Sequence, residues 1–213
     1  MSLTARAFLF DNDGTLVDSM ASVVRCWTAW AQEFGISGED FGRVQLHGRP
    51  AVEIVADLVP AQRVGEAVRR IEELELADVS GVVVLPGTLE LLGALPAGRW
   101  AVVTSATRAL AAKRLASVGI HPPLIVAADD VRRGKPDPEP FLLGAQRLGV
   151  DPADCVVFED APVGLAAARA AGMRSVALTT THPQEDLIAD HVIEGLHRVR
   201  VHGSDEMTLS FGA

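Results

Sequence analysis

Five short apolar runs recur along the chain: Ala7–Phe10, Trp100–Thr104, Leu124–Ala127, Cys155–Phe158 and Ser175–Leu178. None alternates polar with apolar residues, which is the pattern of strands covered on both faces. Between them lie stretches with helical spacing, such as Arg108–Val118 and Pro162–Ala171, closed by Gly119 and Gly172, the residue type that most often ends a helix. Strand and helix in alternation predict an α/β protein built on a Rossmann-like open parallel sheet. In such sheets ligands bind at the carboxyl ends of the strands. The residues directly after each apolar run are therefore where chemistry is expected.

One segment interrupts the rhythm. After Asp18, Met20, Val23, Val24, Trp27, Trp30, Ala31 and Phe34 repeat at three-to-four spacing and stop at Gly35, which predicts an amphipathic helix. Further helical pieces are expected at Glu39–Leu46, Ala51–Val59 and Arg63–Leu76, and strand-helix alternation resumes only after Leu85-Pro86-Gly87. This predicts a helical cap over residues 18–82, inserted into a sheet domain formed by 1–17 and 83–213. Hinges are expected near Leu16–Asp18 and Val82–Leu85. Val199–Phe211 alternates around a Gly-Ser-Asp turn and predicts a terminal hairpin.

The strand ends carry a consistent set of groups. Asp11-Asn12-Asp13-Gly14-Thr15 follows the first run; the two carboxylates, at i and i+2, can share one face while Asn12 faces away. Alone, this is as readily a solvated turn as a pair for acid–base work. Thr104-Ser105-Ala106-Thr107 follows the second run, where a hydroxyl can cap the next helix or meet an anion. Lys135, set between Gly134 and Pro136, lies in the loop after the third. Glu159-Asp160 ends the fourth, and two acids abutting a buried strand are costly unless paired or bound to a metal. Hard divalent cations such as Mg²⁺ take such oxygen ligands. Gathered on one edge of a sheet, these groups supply a nucleophile, a proton donor, two phosphate clamps and a metal site.

This order of motifs resembles the haloacid dehalogenase superfamily over nearly the whole chain. The matching segments are Phe8-Leu-Phe-Asp11-Asn-Asp13-Gly14-Thr15-Leu16-Val17-Asp18-Ser19, Val103-Thr104-Ser105, Lys135-Pro136 and Glu159-Asp160-Ala161-Pro162-Val163-Gly164. Trp27-Thr-Ala-Trp30, Leu46-His47-Gly48-Arg49 and Arg133-Gly134-Lys135-Pro136 look like the sugar-phosphate phosphatases of that group. The resemblance implies that Asp11 attacks phosphorus and becomes an aspartyl-phosphate. Asp13 would serve as general acid and base, with Thr15 orienting it. Ser105 and Lys135 would hold phosphoryl oxygens, with Ala106 beside them at the substrate. Mg²⁺ would be bound by Asp11, the Asp13 backbone carbonyl and Asp160, with Glu159 as a direct or outer partner. His47 and Arg49 would read the alcohol part of a small sugar or polyol phosphate; Glu75 is a weaker candidate. Asn12 replaces a commoner apolar residue of the family motif.

Composition now narrows the chemistry. With 19 basic and 28 acidic residues the net charge is −9, which argues against nucleic acid as partner. No apolar run nears the eighteen or so residues of a membrane span, and the amino terminus lacks the pattern of a signal peptide. Cys26 and Cys155, far apart among apolar neighbours, predict inert buried thiols and a cytoplasmic setting; separately, a monomer or weak homodimer is expected. Lys113 and Lys135 are the only lysines, so residues 1–100 contain none. That excludes the Schiff-base phosphonatases of the family, which need a cap lysine, and disfavours its sugar phosphomutases. Asp13 sets the chain apart from the haloacid dehalogenases, which lack that acid. A non-catalytic binding protein of the same fold is a further alternative, opposed by the retention of Asp11, Asp13, Ser105, Lys135 and Asp160. A receiver-type signalling module would be shorter, with its phosphorylated aspartate in mid-chain.

Overall fold

The computed structural model describes residues 2–44, 46, 49–204 and 206–212. The chain opens with β1 (Ser2–Ala5) and β2 (Ala7–Phe10), then β3 (Val17–Asp18). Helices α1 (Met20–Phe34), α2 (Gly38–Gly42), α3 (Ala51–Leu58) and α4 (Val64–Ala77) follow before β4 (Val83–Val84). Next come α5 (Thr88–Ala94), β5 (Trp100–Val103), α6 (Arg108–Ser117), β6 (Ile125–Val126) and α7 (Glu139–Leu148). The rest is β7 (Cys155–Glu159), α8 (Pro162–Ala170), β8 (Arg174–Leu178), β9 (His191–Ile193), β10 (Val199–His202) and β11 (Met207–Phe211).

The central sheet has the order β6-β5-β2-β7-β8-β9, and every pairing in it is parallel. Successive residues of its inner strands face opposite sides. Phe8, Phe10, Trp100, Val102, Val156 and Phe158 join the core on one face. Ala7, Leu9, Ala101, Val103, Cys155 and Val157 join α7 and α8 on the other. The first face carries the bulk, with the Phe10 and Phe158 rings stacked at 4.9 Å. The second carries small side chains that let helices approach closely. This double covering is why the strands read as continuous apolar runs.

The predicted terminal hairpin is present as β10 and β11, but β1 joins it on the other side of β11. Expected helix Glu39–Leu46 contracts to α2, which begins and ends on glycine, a poor helix former. Ser37 caps it, its hydroxyl accepting the Asp40 N–H at 3.0 Å. Helix α1 ends at Gly35 as expected.

The helical segment has an apolar core of its own, formed by Val23, Cys26, Trp27, Trp30, Ile54, Val55 and Ile71 among others. Its two connections to the sheet run side by side: β3 and β4 pair antiparallel, Val17 opposite Val84 and Asp18 opposite Val83. The Leu16 carbonyl accepts the Leu85 N–H at 3.0 Å and the Thr88 hydroxyl at 3.0 Å. Both crossings are thus fastened beside the carboxyl end of β2.

Candidate active site

Strand β2 lies at the point where the sheet's connections diverge, with β5 on one side and β7 on the other. Such a switch point opens a crevice beyond the carboxyl ends of the strands. Asp11 continues the ladder there, its N–H donating to the Phe158 carbonyl at 2.9 Å. The same crevice receives Ser105 from the end of β5, Lys135 from the loop before α7, and Glu159 and Asp160 from the end of β7. A cavity of about 150 Å³ lies between this edge and the helical segment, lined by Asp11, Asp13, Ser105, Trp27, Arg49 and Arg114 among others.

Lys135 is the hub. It is 3% exposed, and its Nζ donates to Asp11 Oδ1 at 2.5 Å and to Glu159 Oε1 at 2.7 Å. Burial pulls its pKa down, but Asp11 and Glu159 outweigh this and hold the ammonium well above its ordinary value. Burial pushes the Asp11 carboxyl up, against the pull of Lys135 and with Glu159 and Asp160 adding to the rise. Burial and Glu159 likewise push Asp160 up to about 7.

Glu159 uses both of its oxygens: Oε1 accepts from Lys135, and Oε2 accepts the N–H groups of Asp160 at 2.8 Å and Ala161 at 2.7 Å. It therefore fixes the turn that leads into α8. Gly164, in the first turn of that helix, makes room for it, since a Cβ there would lie 1.7 Å from Glu159 Oε1. Asp160 is held by Thr15, whose hydroxyl donates to Oδ1 at 3.0 Å, and by the Thr181 hydroxyl at Oδ2.

Asp11, Glu159 and Asp160 each place an oxygen within 4.8 Å of the others, and all three are buried. Three carboxylates around one lysine leave negative charge that burial penalises. A hard divalent cation fits this set by charge and by ligand type.

Asp13 is held on the opposite side of the crevice. Its Oδ1 accepts from the Ser19 hydroxyl at 2.6 Å; its Oδ2 accepts from Asn12 Nδ2 at 3.1 Å and faces Arg114 Nη1 at 3.1 Å. Two expectations are corrected here. Thr15 was expected to orient Asp13, but its hydroxyl reaches Asp160 instead, because the turn after Asp13 folds back toward β7. Asn12 was expected to face away; it is fully buried, and its amide returns to Asp13.

The remaining expected residues fall as follows. Ser105 and Ala106 line the cavity. The α6 cap is Thr107, whose hydroxyl accepts the Leu110 N–H at 3.4 Å, so Ser105 does not cap that helix. The Ala106 N–H donates to the Thr104 hydroxyl at 3.1 Å. Arg49 lines the cavity while pairing with Asp57 at 2.9 Å and Glu53 at 3.7 Å. Glu75 lies on the same cavity. His47 lies outside the described residues. Sequence reasoning missed Thr181 and Arg114, and placed Ser19 in the first motif without giving it a role. Thr181 follows the Ser175–Leu178 run, so the strand-end rule applied there would have found it.

A family model for haloacid dehalogenase-like hydrolases matches residues 5–172. The chain belongs to that hydrolase family. It is 36% identical over 206 residues to hexitol phosphatase A of Escherichia coli, covering 93% of this chain and 95% of that one. It is 39% identical over 202 residues to the validoxylamine A 7′-phosphate phosphatase of Streptomyces hygroscopicus, covering 90% and 94%. Among solved structures, CbbY of Rhodobacter sphaeroides in complex with phosphate shares the fold, with a TM-score of 0.77 at 24% identity over 91% of this chain and 95% of that one.

Proposed function

We propose that the chain is a Mg²⁺-dependent phosphatase of small sugar or polyol phosphates that works through a phosphoaspartate on Asp11. The observation that carries this reading is the buried Asp11–Lys135–Glu159 link at the switch point, with Asp13 facing the same small cavity. The names of the two phosphatase relatives support the substrate class.

Lys135 holds one oxygen of Asp11, and the other attacks phosphorus. The bond from phosphorus to the alcohol oxygen breaks, and that oxygen takes a proton from the Asp13 carboxyl. Asp13, then a carboxylate, takes a proton from water; the resulting hydroxide attacks phosphorus, the bond to Asp11 breaks, and inorganic phosphate leaves. Lys135 and Ser105 bind phosphoryl oxygens throughout, and Lys135 offsets the repulsion between carboxylate and phosphate. Mg²⁺ would be held by Asp11, Asp160 and the Asp13 carbonyl, where it supplies further neutralisation of phosphoryl charge. The helical segment, residues 18–82, acts as a cap on the core formed by 1–17 and 83–213. It excludes water and makes a phosphoprotein a poor substrate. Arg49 is the candidate on this cap for reading the alcohol part. Cys26 and Cys155 are buried free thiols, in keeping with a cytoplasmic setting; no helix among the described residues is long and apolar enough to cross a membrane.

The test is release of inorganic phosphate from a panel of sugar and polyol phosphates, with Asp11→Asn alongside. Release by the native chain and none by Asp11→Asn is expected. Turnover surviving that substitution would overturn the mechanism. Conversion of an aldose 1-phosphate to its 6-phosphate without phosphate release would mean a mutase instead.

A further inference from the structure

Arg114 lies on α6, in the sheet domain, with its side chain only 4% exposed. Its Nη1 is 3.1 Å from Asp13 Oδ2, and its Nη2 donates to Glu75 Oε1 at 3.0 Å. Glu75 lies on α4 of the helical segment, its side chain 8% exposed. Burial pushes the Glu75 carboxyl up against the pull of Arg114. Arg114 Nε is buried without a hydrogen-bond partner. The guanidinium is therefore anchored through its two outer nitrogens, one to each side of the cavity.

We propose that Arg114 is a positioning residue that makes the placement of Asp13 depend on the seating of α4, with Glu75 holding the guanidinium and the guanidinium holding Asp13. The inference rests on the acid–base role given to Asp13 above. A guanidinium is a rigid planar fork, so fixing Nη2 also fixes the direction of Nη1. A lysine, with a single charged nitrogen on a flexible stem, does not transmit orientation in this way. The Asp13 oxygens offer about four lone-pair sites. Ser19, Asn12 and Arg114 address three of them, which leaves one for the proton that passes to alcohol or from water. Withdrawal of α4 removes Glu75, frees the fork to rotate, and releases one of the three groups that aim that remaining site. The acid–base group would thus be in register only while the cavity is closed.

The test compares a polyol phosphate, whose leaving oxygen needs a proton, with p-nitrophenyl phosphate, whose leaving oxygen does not. For Arg114→Met, kcat on the polyol phosphate is expected to fall about 100-fold, the scale of a misplaced catalytic group, with KM changed far less. On p-nitrophenyl phosphate the same variant should give a burst of one p-nitrophenolate per enzyme and then slow turnover, because Asp11 still attacks but water is no longer deprotonated efficiently. Glu75→Gln, which changes charge but hardly volume, should lower kcat on the polyol phosphate in the native background and have no further effect in Arg114→Met. If Arg114→Met does not fold, Arg114→Lys takes its place in the same cycle, with the same expected loss of the Glu75 effect. An equal fall on both substrates without a burst, a change in KM alone, or additive effects of the two substitutions would overturn the proposal. Native turnover that Asp11→Asn abolishes, with any of these outcomes, removes the Arg114 role alone. Native turnover that is absent, or that survives Asp11→Asn, removes the phosphatase mechanism and this role with it.

Discussion

Lys135 neutralises two buried carboxylates at once, through contacts of 2.5 and 2.7 Å. Removing one member of a buried ion pair leaves charge without a partner and costs about 3–5 kcal/mol. Lys135→Met is therefore expected to lower the stability of the folded chain by about 3 kcal/mol, measured by urea unfolding at 25 °C, besides ending catalysis. An unchanged urea midpoint would contradict this account of the site. The lysine was conspicuous in the sequence because only one other exists. Arg114 was not, since an arginine in a helix ordinarily faces solvent and nothing local marks it as buried. Its partners Asp13 and Glu75 lie on other elements and only the tertiary fold brings them together. Asn12 was misjudged for a related reason: strict alternation along an extended chain does not survive the tight turn that starts at Asp13, where the Gly14 N–H donates to the Val17 carbonyl.

At the scale of elements, strands were legible in proportion to how deeply both faces are buried. Ala7–Phe10 and Cys155–Glu159 are buried throughout, and their apolar runs stand out. Strand β9 is three residues long, half-buried and at the sheet's edge, and its sequence His191-Val192-Ile193 carries no such run. Strand β1 is defined by pairing with β11 at the far end of the sequence, which no local pattern reveals. The junction of β7 with α8 makes a sharper demand on sequence. Gly164→Ala would drive a methyl group into Glu159, displacing the carboxylate from Lys135 and from the N–H groups of Asp160 and Ala161. The substitution would ordinarily favour a helix. Here it is expected to destabilise the chain and to lower phosphate release by at least tenfold, the scale of a misplaced catalytic group. A gain in thermal stability would show that Glu159 is not held where described.

Over the whole molecule, the two cysteines fall in different apolar cores: Cys26 with Trp27 and Trp30 in the helical segment, Cys155 with Leu9 and Val157 under the sheet. Burial pushes the Cys26 thiol up and the Cys155 thiol up to about 12. The folded chain keeps protons that the unfolded chain releases from about pH 9, so this contribution to stability is lost as pH rises from there through about 12. Neither thiol should react with a thiol reagent at pH 8 in the folded protein. If the helical segment opens as a unit of its own, low urea should expose Cys26 before Cys155, read by mass spectrometry of the labelled peptides. Simultaneous labelling would mean one cooperative unit.

Among the acids behind the net charge of −9, Asp11 and Asp13 line the cavity, while Asp11 and Glu159 hold the buried Lys135 between them. The pairing of β1 with β11 has a different kind of consequence. Ser2 lies opposite Ser210 and Ala5 opposite Met207, so the two ends of this antiparallel pair leave from the same side. A force applied to both ends of the chain would peel that pair apart one rung at a time, rather than loading all its rungs together. Such a load meets this clasp before it meets the central sheet, and Asp11 lies only six residues beyond it.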